Sequence, residues 1–534
     1  MSKHQTLLAI RQLRGAHTGE NQAEIIIEII TEYNLRSRIG YFITDNATNN
    51  DTAIEAVLKH FFPGWTAKKR TARRLRCLGH VINLACKAFL YGKELGAFEK
   101  DIESFREQSD LLKELNLWRK RGPIGKLHNI VIFICRTPQR RERFANIRSF
   151  DSTEKSDFDH LQLVVDNATR WNSLYAMIER AIKLRDRIDR FSIDNRDQMH
   201  GSRQEQPQTQ EDEAHLLRND VLDADDWHVL AETMTILEKF MVLTKRAEGT
   251  DAGADRGILS DYMTTLNSLI AHIRMWRDDI EARTVDVAKA SKSDLHLKTC
   301  IVNCWTKLDD YFKILNDTPA HYASVVTTPH MKWKYFEHTW KDASSWKDAT
   351  DPKSWLPSGK RALNTLWDEY RDLPFENHIL VGSKRRRSDS PSDFERSTNM
   401  ALIYGDDVEE DQLEVWISQR PFALDRNDTI IAYWLRQAKD KSTYQLARMG
   451  LDMASIPAMS SECERVFSQA KLLITGQRHR LQADIIEATQ CLRMWMIMDR
   501  KTAGTWKKKR IDHWVTPYEL HNDLDISGLE RKSS

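Results

Sequence analysis

Two short β-rich runs, at residues 39–44 and 161–165, each end in Asp-Asn and each lead into a segment whose apolar residues recur at helical spacing. After the first come Ala53, Ala56, Val57 and His60; after the second come Leu174, Met177, Ile178 and Ile182. The opening residues 5–13 alternate loosely and read as a further strand, and Ala23, Ile26, Ile27, Ile30 and Tyr33 form a helical stripe behind them. A third apolar helix is expected over 75–91. Strands that alternate with helices predict an α/β unit over about the first 190 residues.

Past that point the texture changes. A polar stretch without apolar period, 194–222, reads as a linker, and 223–375 reads as helix with Trp227, Leu230, Met234, Leu237 and Met241 as its clearest stripe. Residues 376–411 form a second linker, in which Lys384-Arg385-Arg386-Arg387 has the form of a nuclear localisation signal. Residues 412–500 return to apolar helices, and 501–534 are a basic tail. Hydrophobic content of 41% against 30% charged excludes a wholly disordered chain. Apolar runs far short of a bilayer span exclude a membrane-spanning protein, no membrane partner is expected, and the lack of a leader-like start predicts a protein kept inside the cell.

Charge is informative only by position. The chain has 80 Lys+Arg and 78 Asp+Glu, yet no acid lies between Glu55 and Glu94, where Lys68, Lys69, Arg70, Arg73 and Arg74 cluster. A second basic stretch, 119–148, contains Glu142 alone among acids, while acids gather at 211–226 and 406–414 and are expected outside the basic face. A solvated surface is the ordinary reading of any one such cluster, but two acid-poor basic stretches in one apparent domain favour double-stranded DNA as a partner. The seven cysteines form no CxxC pair and are expected to be reduced.

Several residues invite chemical roles, each with an ordinary alternative. Asp45 stands at the end of a β-rich run, where carboxylates are often presented, but Asp45-Asn46 also suits a helix cap. Glu464 completes a Ser461-x-x-Glu464 capping box, and Asp484 with Glu487 is spaced as another. Cys77-x-x-His80 has the spacing of half a zinc site and no second pair nearby. Arg170-Trp171 offers a guanidinium for phosphate and an indole for stacking, or simply a core tryptophan.

The segments "IGYFITDNATNNDTAIEAV", "RRLRCLGHVINLACKAFLYG", "DNATRWNSLYAMIERAI" and "IPAMSSECERVFSQAKLLITGQRHRLQADIIEATQCLRMW" resemble hAT-superfamily transposases of the fungal type. The resemblance implies an incomplete α/β RNase H-like core over 1–193, a large all-α insertion, and a C-terminal region that completes the core and dimerises, in a chain that is mostly helical. Asp45 matches the family's second acid and Glu464 its third, in a set of three that binds two divalent metals. Carboxylates suit that task because they are hard anionic ligands able to bridge Mg²⁺ ions about 3.5–4 Å apart. Cys77 and His80 match a motif near the scissile phosphate, and Arg170 and Trp171 match a pair whose indole stacks on an unpaired base.

In the family the first acid precedes the segment resembling "LLAIRQLRGAHTGENQAEI"; here that segment begins at residue 7, and the first acidic residue is Glu20. The expectation is a core without its opening strands, weak Mg²⁺ or Mn²⁺ binding, and impaired DNA cleavage. A homodimer or higher homo-oligomer is expected through Phe467, Ile485, Leu492 and Trp495, in the nucleus. The alternatives are an active transposase restored by an upstream exon and a domesticated DNA-binding regulator.

Overall fold

The computed structural model describes residues 6–92, 95–107, 111–147, 161–166, 171–201, 217–248, 257–315, 318–341, 355–375, 411–426, 428–473 and 482–503. Arg170 and the 384–387 basic run lie outside them. The chain divides into two compact units, one built from residues 1–77 with 317–534 and the other from 78–316. That division cuts the expected 1–193 core in two and joins the helices after Cys77 to those of the expected insertion.

In the first unit, Gly19–Glu32 and Thr48–Phe61 pack as a helix pair. Thr18 caps the former by accepting from the Asn21 amide at 3.3 Å, satisfying one of the donors a helix start leaves unpaired. Ala23, Ile30, Val57 and Phe61 close the seam, with Ile26 and Ile27 against it. Gly19 permits the approach, since a Cβ there would sit 2.6 Å from the Asn49 carbonyl oxygen. Both helices fall where the apolar period predicts them.

Strand content departs from expectation. Among the described residues the sheet is a parallel pair, β1 (Phe42–Thr44) and β2 (Arg74–Arg76), with Ile43 opposite Leu75. The expected strand at 161–165 does not form in this structure, and residues 6–14 carry no regular secondary structure and no strand partner among the described residues. Conversely, β2 occupies the start of what the periodicity assigns to a helix, which instead begins at Leu78. The protein is therefore mostly helical, and its α/β part is smaller than the sequence pattern suggests.

The rest of the first unit locks residues 319–341 against the region after 411. Trp416 and Trp434 donate their indole N–H groups to the carbonyls of Val326 (2.7 Å) and Thr327 (2.9 Å), at the end of the Pro319–Val326 helix. These are carbonyls that a helix terminus leaves without an internal donor. Lys332, fully buried at positive φ, places Nζ 3.7 Å from the Trp416 ring centroid and donates to Gln419 Oε1.

The second unit is a helical assembly in which Leu78–Tyr91 packs on Lys292–Ile314, and Lys292–Ile314 on Leu259–Arg283. The polar stretch expected as a linker from 194 is helical through Gly201, at the end of the Arg185–Gly201 helix, and 217–220 form a 3₁₀ turn. Two of the acids expected outside the basic face are in fact partners of the second basic stretch: Asp220, fully buried, pairs with Arg119 at 2.7 Å, and Asp226 with Lys126 at 2.6 Å. Burial pushes the Asp220 carboxyl up, and the Arg119 and Asn129 hydrogen bonds oppose that shift. All seven cysteines are free thiols.

Candidate functional site

Asp45 follows β1 directly and is exposed. Its Oδ1 accepts the Ala47 amide at 3.0 Å and the Asn50 side-chain amide, so the carboxylate shapes the turn entering the Thr48–Phe61 helix. Glu464 is also exposed, in the first turn of the Ser461–Leu473 helix. A buried thiol links the two elements: Cys77, just past β2, donates its amide to the Thr44 carbonyl at 2.9 Å, and its Sγ accepts from the Ser460 amide at 3.3 Å.

Among the described residues no three His, Cys, Asp or Glu side chains form a group able to hold a metal ion. Asp45, with one oxygen committed to a turn, and Glu464 do not by themselves amount to a two-metal centre. His80 is half-buried in the Leu78–Tyr91 helix of the second unit.

The basic cluster turns largely inward. Arg73 pairs with Glu369 and lies 4.9 Å over the Tyr41 ring, and Arg70 pairs with Glu55 and the Trp65 carbonyl. Arg74 donates to Asp51 and to the carbonyls of Leu75 and Asp45; burial lowers its pKa. Lys69 sits over Trp65 and within 3.3 Å of Glu369. Lys68 is the exposed member of the five. Trp171 is only 3% exposed, with edge-on contacts to Tyr175 and Phe240, which matches the ordinary core alternative for a helix-opening tryptophan.

The helix Ala483–Ala503 has two distinct faces. On one, Glu487, Cys491 and Trp495 recur at four-residue spacing and hold residues 7–10. Trp495 Nε1 donates to the Leu7 carbonyl at 3.0 Å, Cys491 Sγ lies 3.8 Å from the Leu8 carbonyl, and Glu487 Oε1 accepts the Ile10 amide at 3.3 Å. Burial, with the neighbouring Glu487 second, pushes the Cys491 thiol up to about 11. On the other, Ile485 (48% exposed), Leu492 (51%) and Met496 (59%) stand in the open, and on the preceding helix Phe467 is 63% exposed.

The four residues expected to dimerise therefore separate: Phe467, Ile485 and Leu492 are on open surface, while the Trp495 indole is engaged within the chain. Glu487, read as a cap, instead binds backbone and lies 3.5 Å from Arg11. Met496 and the Leu7–Arg11 backbone join the site through the tertiary structure. The regular 487/491/495 spacing carried the signal, but the partner lies more than 470 residues away.

A description of the hAT family C-terminal dimerisation region matches residues 412–496. Descriptions of the ZBED1 RNase-like domain and the ZBED1 RNase-like helical domain match 1–69 and 75–219. A Zea mays protein named as an AC transposase is 21% identical over 97% of this chain, and one named as an AC9 transposase is 21% identical over 92%. The chain spans 57% and 54% of those relatives, about half their length. A Talaromyces stipitatus protein named as the transcriptional regulator tpeD is 27% identical over 35% of the chain, covering 21% of that relative. With these regions and relatives in register along it, the chain is a hAT transposase-like protein that carries the family's C-terminal dimerisation region.

Proposed function

We propose that this chain forms a homodimer through the open face of the Ala483–Ala503 helix together with Phe467, and that the dimer binds double-stranded DNA. The carrying observation is the row of half-exposed Ile485, Leu492 and Met496 within the matched dimerisation region. Large apolar side chains grouped on one helix face favour a protein partner over water. A second copy is the partner because the region bearing the row is the one that dimerises in the family.

Sedimentation equilibrium of the full chain tests this. Ile485→Asp with Leu492→Asp should weaken the dimer at least about thirtyfold, the loss expected when a central apolar contact becomes a buried charge. A dimer unchanged by that pair overturns the reading.

For DNA, the support is the resemblance and the two basic stretches, in which Lys68 is exposed while Arg73, Arg74 and Arg119 pair within the chain. The chain is further proposed to cleave DNA poorly, since Asp45 is held in a turn and a two-metal mechanism needs more than two exposed carboxylates. A supercoiled-plasmid nicking assay with Mg²⁺ or Mn²⁺ decides it: turnover abolished by Asp45→Ala would restore the active-transposase reading. Nuclear localisation through Lys384–Arg387 is proposed likewise, and imaging of a tagged chain with those four residues replaced by alanine tests it.

A further inference from the structure

We infer that residues 7–11 act as a strap that makes dimerisation conditional, by holding the Ala483–Ala503 helix at the rotation that leaves its apolar row outside. This rests on the dimer reading above and names a control of that same surface.

The strap and the apolar row use different sides of one helix. At 3.6 residues per turn, Glu487, Cys491 and Trp495 form a nearly straight line, and Ile485, Leu492 and Met496 are centred about 120° around from it. Gln490 and Cys491 are buried, so the strap side is also the inward side. The helix thus has two faces with large apolar side chains, and a roll of about 120° would exchange them. What opposes the roll is a set of directional bonds, because hydrogen bonds to backbone groups depend on angle where apolar packing does not.

The strap is fixed from both sides. On the Ala483–Ala503 side its Leu7 and Leu8 carbonyls and Ile10 amide face Trp495, Cys491 and Glu487. On the other side, Tyr33 at the end of the Gly19–Glu32 helix donates its hydroxyl to the Leu8 carbonyl at 2.8 Å, and Arg11 pairs with Glu32 at 2.8 Å. Arg11 also lies 3.5 Å from Glu487, so one guanidinium ties the strap to two helices. The strap has no strand partner among the described residues, and its Leu7, Leu8 and Ile10 backbone groups meet side chains of those helices, which gives each bond an orienting role. Residues 7–11 lie outside the stretch matched as the dimerisation region, yet they bind its inward face.

The experiment uses the full chain and reads two quantities, the dimer dissociation constant by sedimentation equilibrium and hydrogen exchange at the Ile10 amide. Glu487→Ala removes the acceptor for Ile10 and the partner of Arg11. It should speed Ile10 exchange and weaken the dimer about tenfold, the size expected for losing a hydrogen bond to a charged group. Glu487→Gln keeps a carbonyl oxygen for the amide and should recover most of the loss. Trp495→Phe keeps the ring, drops the N–H, and should act in the same direction if the alanine variant folds poorly.

Faster Ile10 exchange with a dimer constant within twofold of the parent overturns the strap. Unchanged exchange in Glu487→Ala also overturns it, because Glu487 would then not hold the segment. Ile485→Asp separates the two readings: it should break the dimer while leaving Ile10 protected. If it leaves the dimer intact, the dimer reading itself fails.

Discussion

Cys77 Sγ accepts the Ser460 amide at 3.3 Å, joining residues 383 positions apart in the chain. The thiol sits just past β2, and Ser460 immediately precedes the helix that carries Glu464. Cys77 also donates its own amide to Thr44, the residue before Asp45. The cysteine of the Cys-x-x-His spacing thus holds backbone together in the first unit. Cys77→Ala should cost about 1 kcal/mol, the usual net value of one lost hydrogen bond, while Cys77→Ser, which keeps an acceptor, should cost less. Urea unfolding of the two variants checks the order, and faster exchange of the Ser460 amide in the alanine variant checks the site.

Lys68 and Arg74 should respond in opposite ways. Lys68 is exposed, so Lys68→Ala should leave stability within about 0.5 kcal/mol of the parent. If the β2 side of the unit meets DNA, the same change should lower the slope of log affinity against log salt by about 1. Arg74 is buried and bonds Asp51 and two carbonyls around β1 and β2, so Arg74→Ala should destabilise by roughly 2–3 kcal/mol. Binding titrations at two salt concentrations, set beside thermal melts, separate the two effects.

A pH dependence centred on Lys332 follows from its burial, which lowers its pKa to about 8 from an ordinary 10.5. The folded chain releases this proton before the unfolded chain does. Between about pH 8 and 10.5 the unfolded state therefore holds more protons, and stability gains from this group as pH rises through that window. Below pH 8 the gain is absent, because the charged amine must be kept desolvated against Trp416. Lys332→Met should remove this upward contribution, so the parent's melting temperature minus the variant's should rise from pH 7 to pH 10. A constant difference would contradict it.

Gly450 lies against the Trp434 indole, and a Cβ there would stand 2.5 Å from the ring. The same indole donates to the Thr327 carbonyl. Gly450→Ala must displace the ring and stretch that bond, with an expected cost of about 1–3 kcal/mol despite alanine's better helix propensity. Guanidinium unfolding of the full chain measures it. Stabilisation would show that the ring has room to move.

Much of this architecture is legible from local pattern. The helices Gly19–Glu32, Thr48–Phe61 and Trp171–Lys183 fall where the apolar period places them, because a helix with one buried stripe carries that period in its own residues. Of the β-rich runs in the sequence, the one at β1 is a strand in the structure. Short β-rich runs become strands only when a partner strand is present, and residues 161–165 have none among the described residues.

The chain's own residues determined the helical elements, the segregation of charge, the family words around Asp45 and Glu464, and an apolar helix past residue 483. Tertiary structure alone decided direction. It turned Arg73 and Arg74 inward onto Glu369 and Asp51, matched Arg119 to Asp220, and divided the Ala483–Ala503 helix between a strap face and an open face. The physical reason is that periodicity records which residues share a face, whereas burial depends on what arrives from elsewhere in the chain. For Trp495 that arrival is Leu7, and for Ile485 and Leu492 the proposed arrival is a second copy.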